Sequence, residues 1–373
     1  MSTTKLHYSE VKFSENHNEE FYKTLRSRVM DYFKTTGKSR HSNTNMVAKT
    51  IVMAAMYFIP FVLIITVIES NLLGYLAWVL MGFGMAGIGL SVMHDANHSA
   101  YSKNDMVNRW VGNILLTIGG SPMNWRIQHN VLHHTFTNVD GIDEDIDPGK
   151  VMRFSPHKER LAGHKYQHIY AWFLYGMMTF LWITTKDFKQ LNRYEKMDLL
   201  KTQGFTYRRA MLGLIISKAL YIGLTLGLPL YFSSVSPLVI IGGFLTMHFI
   251  CGVWLGIIFQ PAHVVPSSNY PTPDKSGNIE ADWAVSQLFN TANFAPGARI
   301  FSWYVGGLNY QVEHHLFPNI CHVHYRNISK IVSDTAKEYQ LPYNSFRTFG
   351  MALKEHGKML YNLGHYDNAP GLH

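Results

Sequence analysis

Apolar positions in this chain gather into long uninterrupted runs. Residues 51–68 and 70–93 hold no charged side chain, and neither do residues 219–273. A helix needs roughly 20 apolar residues to cross a bilayer. The third run is long enough for two crossings, and Ser233-Ser234-Val235-Ser236-Pro237 offers a turn midway. The pattern therefore predicts four spanning helices in two hairpins, at about residues 46–68, 72–93, 210–232 and 238–261. Pro60 falls inside the first, where a membrane helix tolerates it. Gly82, Gly84, Gly87 and Gly89 crowd the second and permit close helix packing.

The segments between these runs follow other rules. Residues 1–15 read as unstructured. Phe21, Leu25, Val29, Tyr32 and Phe33 then recur at helical spacing, predicting an amphipathic helix over 16–34, cytoplasmic or lying on the membrane surface. Residues 109–123 are apolar but short, which suits the membrane interface. Residues 169–185 are marginal for a span; a fifth crossing would put later segments on the opposite side, so an in-plane helix is expected. A basic helix over 186–209 precedes the third span. The chain is soluble in character from Val264, with helices expected over 325–339 and 345–363. The expected fold is an all-α integral membrane protein with a cytoplasmic helical cap. It divides into a cytoplasmic N-terminal segment (1–45), a membrane domain (46–330) and a cytoplasmic C-terminal helical tail (331–373).

Charge sets the orientation. The turns at Glu69-Ser70-Asn71 and Ser233 to Pro237 contain no Lys or Arg, whereas basic residues flank the other span ends. The positive-inside rule then places both termini and the central segment in the cytoplasm, in a multi-pass protein. The net charge of +8 is read as span-flanking residues meeting anionic headgroups. No basic block with interleaved aromatics points to nucleic acid. Lys150, Arg153 and Lys158 could meet a phosphate-bearing headgroup or belong to the same flanking bias. The two cysteines, Cys251 and Cys321, support neither a disulfide framework nor a thiolate metal site. The polar first 45 residues argue against a cleavable signal peptide, so the first span would direct insertion.

Twenty histidines bring in chemistry. Seven lie in three clusters: His94 and His98; His129, His133 and His134; and His314 and His315, the last pair three and four residues after Gln311. Each spacing keeps its members near one helical face, and the predicted topology puts all three clusters on the same side. Neutral imidazole is the commonest protein metal ligand and suits iron, copper and zinc. Seven imidazoles are too many for one mononuclear site. With His263, just past the fourth span, and Gln311 as a further direct or water-mediated ligand, they would serve two metals with four or five ligands each. The clusters lack cysteine and hold few carboxylates, which disfavours structural zinc, iron–sulfur and carboxylate-bridged sites. His248 reads as a packed intramembrane histidine bonded to a main-chain carbonyl. His157, His164 and His168 read as surface residues, and Asp140 to Asp147 as a solvated loop.

His94-x3-His98, His129-x3-His133-His134 and Gln311-x2-His314-His315 resemble the three histidine boxes of the integral-membrane fatty acid desaturase/hydroxylase family, over roughly residues 50–330. The resemblance implies a centre of two iron ions that uses O2 and external electrons to remove two hydrogens from an acyl chain. It carries over to His94, His98, His129, His133, His134, His314 and His315 as ligands, with His263 matching a further family histidine. The glutamine form of the third box resembles front-end enzymes, which insert a double bond on the carboxyl side of an existing one. The fused electron-donor motif His-Pro-Gly-Gly is absent, so the expected donor is a separate ferredoxin or cytochrome b5. The expected substrate is an acyl-CoA or membrane lipid. Asp95, Asp143, Asp145 and Glu313 are candidates to hold ligating imidazoles in the correct tautomer. The expected location is a bacterial inner membrane. Other readings are a hydroxylase on the same scaffold, a bis-histidine haem electron carrier and a zinc transporter. The haem reading needs histidines facing each other within the bundle, and transport needs ionisable groups along the spans.

Overall fold

The computed structural model describes residues 7–14 and 19–367, and nearly all their regular structure is helical. The strands among them are two parallel pairs of two residues each. Lys12–Phe13 lies beside Asn278–Ile279, and Asn293–Phe294 beside Ser345–Phe346. The chain packs as two compact units, Ser42–Ile127 with Trp172–Ile257 and the remainder.

Four helices are long and apolar enough to cross a membrane: Thr44–Thr66, Asn71–Asn97, Tyr207–Phe232 and Pro237–His263. They dominate the first unit. Asn43 caps the first by accepting from Met46 N at 3.1 Å. The second outruns its charge-free run because the π-turn Ile88–Val92 carries it on through Met93–Asn97. Ile51, Ile59, Leu72, Ile215 and Leu238 are exposed on these helices, a surface costly in water and natural in lipid. A Cβ at Gly84 would stand 2.8 Å from the main chain of Met56 and Tyr57. The first two helices thus touch backbone to backbone.

Polar groups pin this unit internally. Lys218 of the third long helix is buried, pairs with Asp187 and donates to Gly119 O at 2.6 Å. Asn124 donates to Asp187 O at 2.8 Å. His248 bonds the Tyr221 hydroxyl at 2.9 Å and Thr179 Oγ1 at 3.1 Å, side chains rather than the expected carbonyl. Over 167–186 the chain forms the helices Gln167–Gly176 and Met178–Leu181 and the π-turn Trp182–Lys186, none of span length.

In the second unit the helix Glu19–Thr36 buries Phe21, Leu25 and Val29 against Leu316, Phe317, Ile328 and Val332. Protein covers the apolar stripe, for which a membrane surface was one of the two settings expected. Residues 7–14 are ordered where no structure was expected: Lys12 N donates to Gly277 O at 2.9 Å and Phe13 stacks on Phe136. Arg153 is buried, not at a headgroup. Its guanidinium donates at 2.6–3.0 Å to the carbonyls of Pro156, Lys158, Leu363, Tyr366 and Asp367. That cage ties down the end of the C-terminal helix Phe349–His365.

Candidate metal centre

The second unit gathers six of the eight histidines singled out by sequence. The middle cluster is wound as a π-helix, Arg126–His133. His134 N bonds His129 O at 3.0 Å, an i to i+5 bond, and this wider turn lets positions 129, 133 and 134 share one face. His314 and His315 sit on the short helix Gln311–Leu316. His263 is the last residue of Pro237–His263. All six are buried.

Five of the six have a hydrogen-bond partner at Nδ1: His129, His133, His263, His314 and His315. His129 Nδ1–H donates to Asp145 at 2.9 Å, and His133 Nδ1–H to both Asp143 oxygens at 3.0 Å. His315 Nδ1–H donates to Gln287 Oε1 at 2.8 Å, and His263 Nδ1–H to Asn290 O at 3.4 Å. His314 Nδ1 bonds the Tyr325 hydroxyl at 3.1 Å. An imidazole with its proton at Nδ1 presents a lone pair at Nε2. One ligand atom from each of His133, His263 and His315 lies within 4.8 Å of the others. His134 Nε2 is 3.3 Å from His129 Nε2 and 3.0 Å from His314 Nε2. Imidazoles bound to one first-row cation at about 2.1 Å stand roughly 3 Å apart. Buried His263 Nε2 has no hydrogen-bond partner among the described residues. Imidazole nitrogens gathered at this spacing fit the donor set of a histidine-bound metal.

Asp143 is buried, and Asp145 carries one-fifth of its side-chain exposure. They lie in the run expected to be a solvated loop. Burial alone lowers the His133 imidazole, but the charges of Asp143 and Asp145 and the Asp143 hydrogen bond outweigh it and hold His133 above its ordinary value. Gln311 Nε2 donates to Leu308 O at 2.8 Å, while its buried Oε1 has no hydrogen-bond partner among the described residues. Glu313 takes another direction: it accepts from Tyr343 at 2.7 Å and from Asn293 at 2.8 Å, and Asn293 Oδ1 in turn accepts from Val312 N. Its carboxylate braces the backbone of the third cluster. Burial pushes it up to about 7, against the pull of those two hydrogen bonds.

The first unit holds the other two histidines. His94 and His98 follow the π-turn, with ring centroids 4.8 Å apart and 5.5 and 5.4 Å from Trp125. Asp95 Oδ1 is 3.8 Å from His94 Nδ1. Asn97 donates to Met93 O at 2.9 Å and Gly112 O at 3.2 Å and accepts from Arg126 at 3.1 Å, fixing the turn between them. Among the remaining histidines, His164 is buried against Lys150 O and is not the surface residue expected. His324 donates to His41 O.

The helix Trp283–Asn290 escaped sequence reasoning, although it supplies Gln287 and Asn290. Its signal was a helix-phased row, Trp283, Gln287 and Asn290, just downstream of the last apolar run.

Buried, cysteine-free imidazoles in a chain with four span-length helices define a membrane metalloprotein with a histidine-bound metal site. Comparison with known proteins sharpens this. The family described as fatty acid desaturase matches residues 70–347. The chain is 36% identical over 360 residues to sn-1 linoleoyl-lipid 6-desaturase of Synechocystis sp., covering 95% of this chain and 98% of the relative. It is 34% identical over 359 residues to acyl-lipid (8-3)-desaturase of Physcomitrium patens, covering 95% and 74%. It is 30% identical over 365 residues to Delta(5) fatty acid desaturase A of Dictyostelium discoideum, covering 96% and 77%. The chain belongs to the fatty acid desaturase family, and it is an oxygen-dependent desaturase of the di-iron type.

Proposed function

We propose that this enzyme is a front-end acyl desaturase, placing a double bond on the carboxyl side of an existing one in an acyl-lipid or acyl-CoA. The observation that carries this reading is the Gln311-x2-His314-His315 box, with both histidines buried beside His129, His133, His134 and His263. The names of the relatives, which specify linoleoyl-lipid 6-, (8-3)- and Delta(5)-desaturation, support it.

Two irons are the proposed cofactors, held by His94, His98, His129, His133, His134, His263, His314 and His315. Gln311 is a direct or water-mediated ligand through Oε1. The iron pair, with O2 as co-substrate and two external electrons, supplies an oxidant strong enough to take two hydrogens from an unactivated methylene. Zinc cannot change oxidation state and would leave the site inert. The protein's own share is positional. Asp143 and Asp145 keep the protons of His133 and His129 on Nδ1, so Nε2 stays a donor. Asp95 and Glu313 support the first and third boxes, Glu313 through the main chain. Burial of the imidazoles keeps bulk water from the oxidant. Electrons come from a donor such as a ferredoxin or cytochrome b5.

The topology we propose is two membrane hairpins with both termini, the central segment and a helical cap on the cytoplasmic side, in a bacterial inner membrane. Within it, residues 46–330 form the catalytic membrane domain, between a cytoplasmic N-terminal segment and a C-terminal helical tail.

The test is a fatty-acid profile from a host with a compatible donor, fed linoleate and oleate separately, with His314→Ala alongside. A new carboxyl-side double bond, located by mass spectrometry and absent in the variant, is the expected result. A hydroxylated product would keep the metal site and overturn the reaction outcome.

A further inference from the structure

The helix Trp283–Asn290 contains no histidine, yet Trp283 and Gln287 reach box histidines and Asn290 reaches His263. Asp282 caps it, accepting from Ala284 N at 2.9 Å and Val285 N at 3.2 Å. Trp283, Gln287 and Asn290 lie at i, i+4 and i+7, one face of the helix. Trp283 Nε1 donates to His134 O at 3.1 Å. Asn290 donates to Thr137 O at 2.8 Å, and its carbonyl receives His263 Nδ1–H. Gln287 Oε1 is 2.8 Å from His315 Nδ1 and 2.9 Å from Thr137 Oγ1, and its Nε2 is 3.4 Å from His134 O. Gln287 and His315 are both fully buried.

The contrast with the middle cluster is chemical. His129 and His133 donate their Nδ1 protons to carboxylates, whereas His315 donates to a neutral amide. A carboxylate behind an imidazole pulls its proton and enriches Nε2 in electron density; an amide fixes the same tautomer without that push. His133 and His315 belong to one three-histidine group, so its donors are unequal by construction.

We propose that Gln287 is a positioning residue that locks His315 as a neutral Nε2 donor while withholding anionic charge, and that it thereby sets the affinity and reduction potential of the metal held by His133, His263 and His315. This rests on the metal reading above.

The test uses the full chain purified in detergent, stripped of metal and titrated with Co2+ by its visible absorption. A second arm is potentiometry of the iron-loaded protein. Gln287→Leu removes the nearer acceptor of His315 Nδ1, leaving Thr137 Oγ1 at 3.2 Å, and should weaken Co2+ binding by about 10- to 100-fold. Gln287→Glu should keep Co2+ bound, shift its ligand-field bands to higher energy and lower the midpoint potential, because a stronger donor favours the oxidised metal. A purely structural role predicts instead that Gln287→Glu loses metal as Gln287→Leu does, with bands and potential unmoved in what remains bound, and that result overturns the proposal. Parent-like affinity in Gln287→Leu also overturns it, even where Gln287→Glu fails to accumulate. A parent chain that binds no metal would instead strike the metal reading itself.

Discussion

Replacing Asp143 by Asn tests the reasoning at its most buried point. The Asp143 carboxylate accepts from three donors: His133 Nδ1, 3.0 Å from each oxygen, Asn138 N at 2.9 Å and Asp145 N at 2.9 Å. An amide retains one acceptor. However it turns, its NH2 faces a backbone N–H that it cannot satisfy. A hydrogen bond to a charged group contributes about 1.5–3 kcal/mol, and a buried donor left alone costs about 1–3 kcal/mol. Loss of the charge behind His133 should weaken metal binding about 10- to 100-fold, or about 1.4–2.8 kcal/mol. Asp145, partly exposed, backs His129 with one oxygen while Gln128 holds the other, so Asp145→Asn should be milder. The assay is iron stoichiometry and metal affinity of the detergent-purified protein, with thermal unfolding beside it. Parent-like affinity in Asp143→Asn would refute the claim that this carboxylate holds a ligand.

Three further outcomes follow from other parts of the molecule. His356 is buried, donates to Val264 O at 2.8 Å and is lowered to about 4 by burial; between pH 6.5 and 4 the unfolded chain binds the extra proton, so stability falls as pH falls, by about 3 kcal/mol, and unfolding curves of His356→Gln should lack that loss. Lys218→Met strands the buried Asp187 carboxylate and should cost about 3–5 kcal/mol of thermal stability in detergent, most of it recovered by adding Asp187→Asn; a single variant as stable as the parent would deny the pair that role. Gly84→Leu drives a side chain into the main chain of Met56 and Tyr57 and should cost about 1–3 kcal/mol or more, whereas Gly213→Leu, with nothing within 4 Å of a Cβ, should leave unfolding unchanged.

The long apolar helices were legible because bilayer thickness imposes a length and lipid excludes charge, and both leave marks in composition. The same rule concealed Lys218: a charge inside a span is stable only with a partner, and Asp187 lies 31 residues earlier. The histidines were legible through spacing, although the i, i+4, i+5 set closes on a π-turn and not a regular α-helix. The acidic run supported two readings, a solvated loop and a partner for imidazoles, and only the placement of His133 and His129 against Asp143 and Asp145 separates them. Gln287 was invisible for a related reason. A lone glutamine on an amphipathic helix has no pattern of its own, and its meaning comes from a histidine 28 residues away. The N-terminal helix had a clear stripe, but a stripe does not say whether lipid or protein covers it.

Charge compensation explains why the acidic residues stand one layer behind the imidazoles. A pair of divalent cations held by neutral imidazoles keeps its full charge, and burying that charge is expensive unless countercharge is near. Direct carboxylate ligands would supply it. Here Asp143 and Asp145 deliver two negative charges through His133 and His129 Nδ1–H, while Gln287, Tyr325 and the Asn290 carbonyl add none. Glu313 is turned away to Tyr343 and Asn293. Countercharge therefore reaches the cluster through His129 and His133, by way of their Nδ1–H bonds.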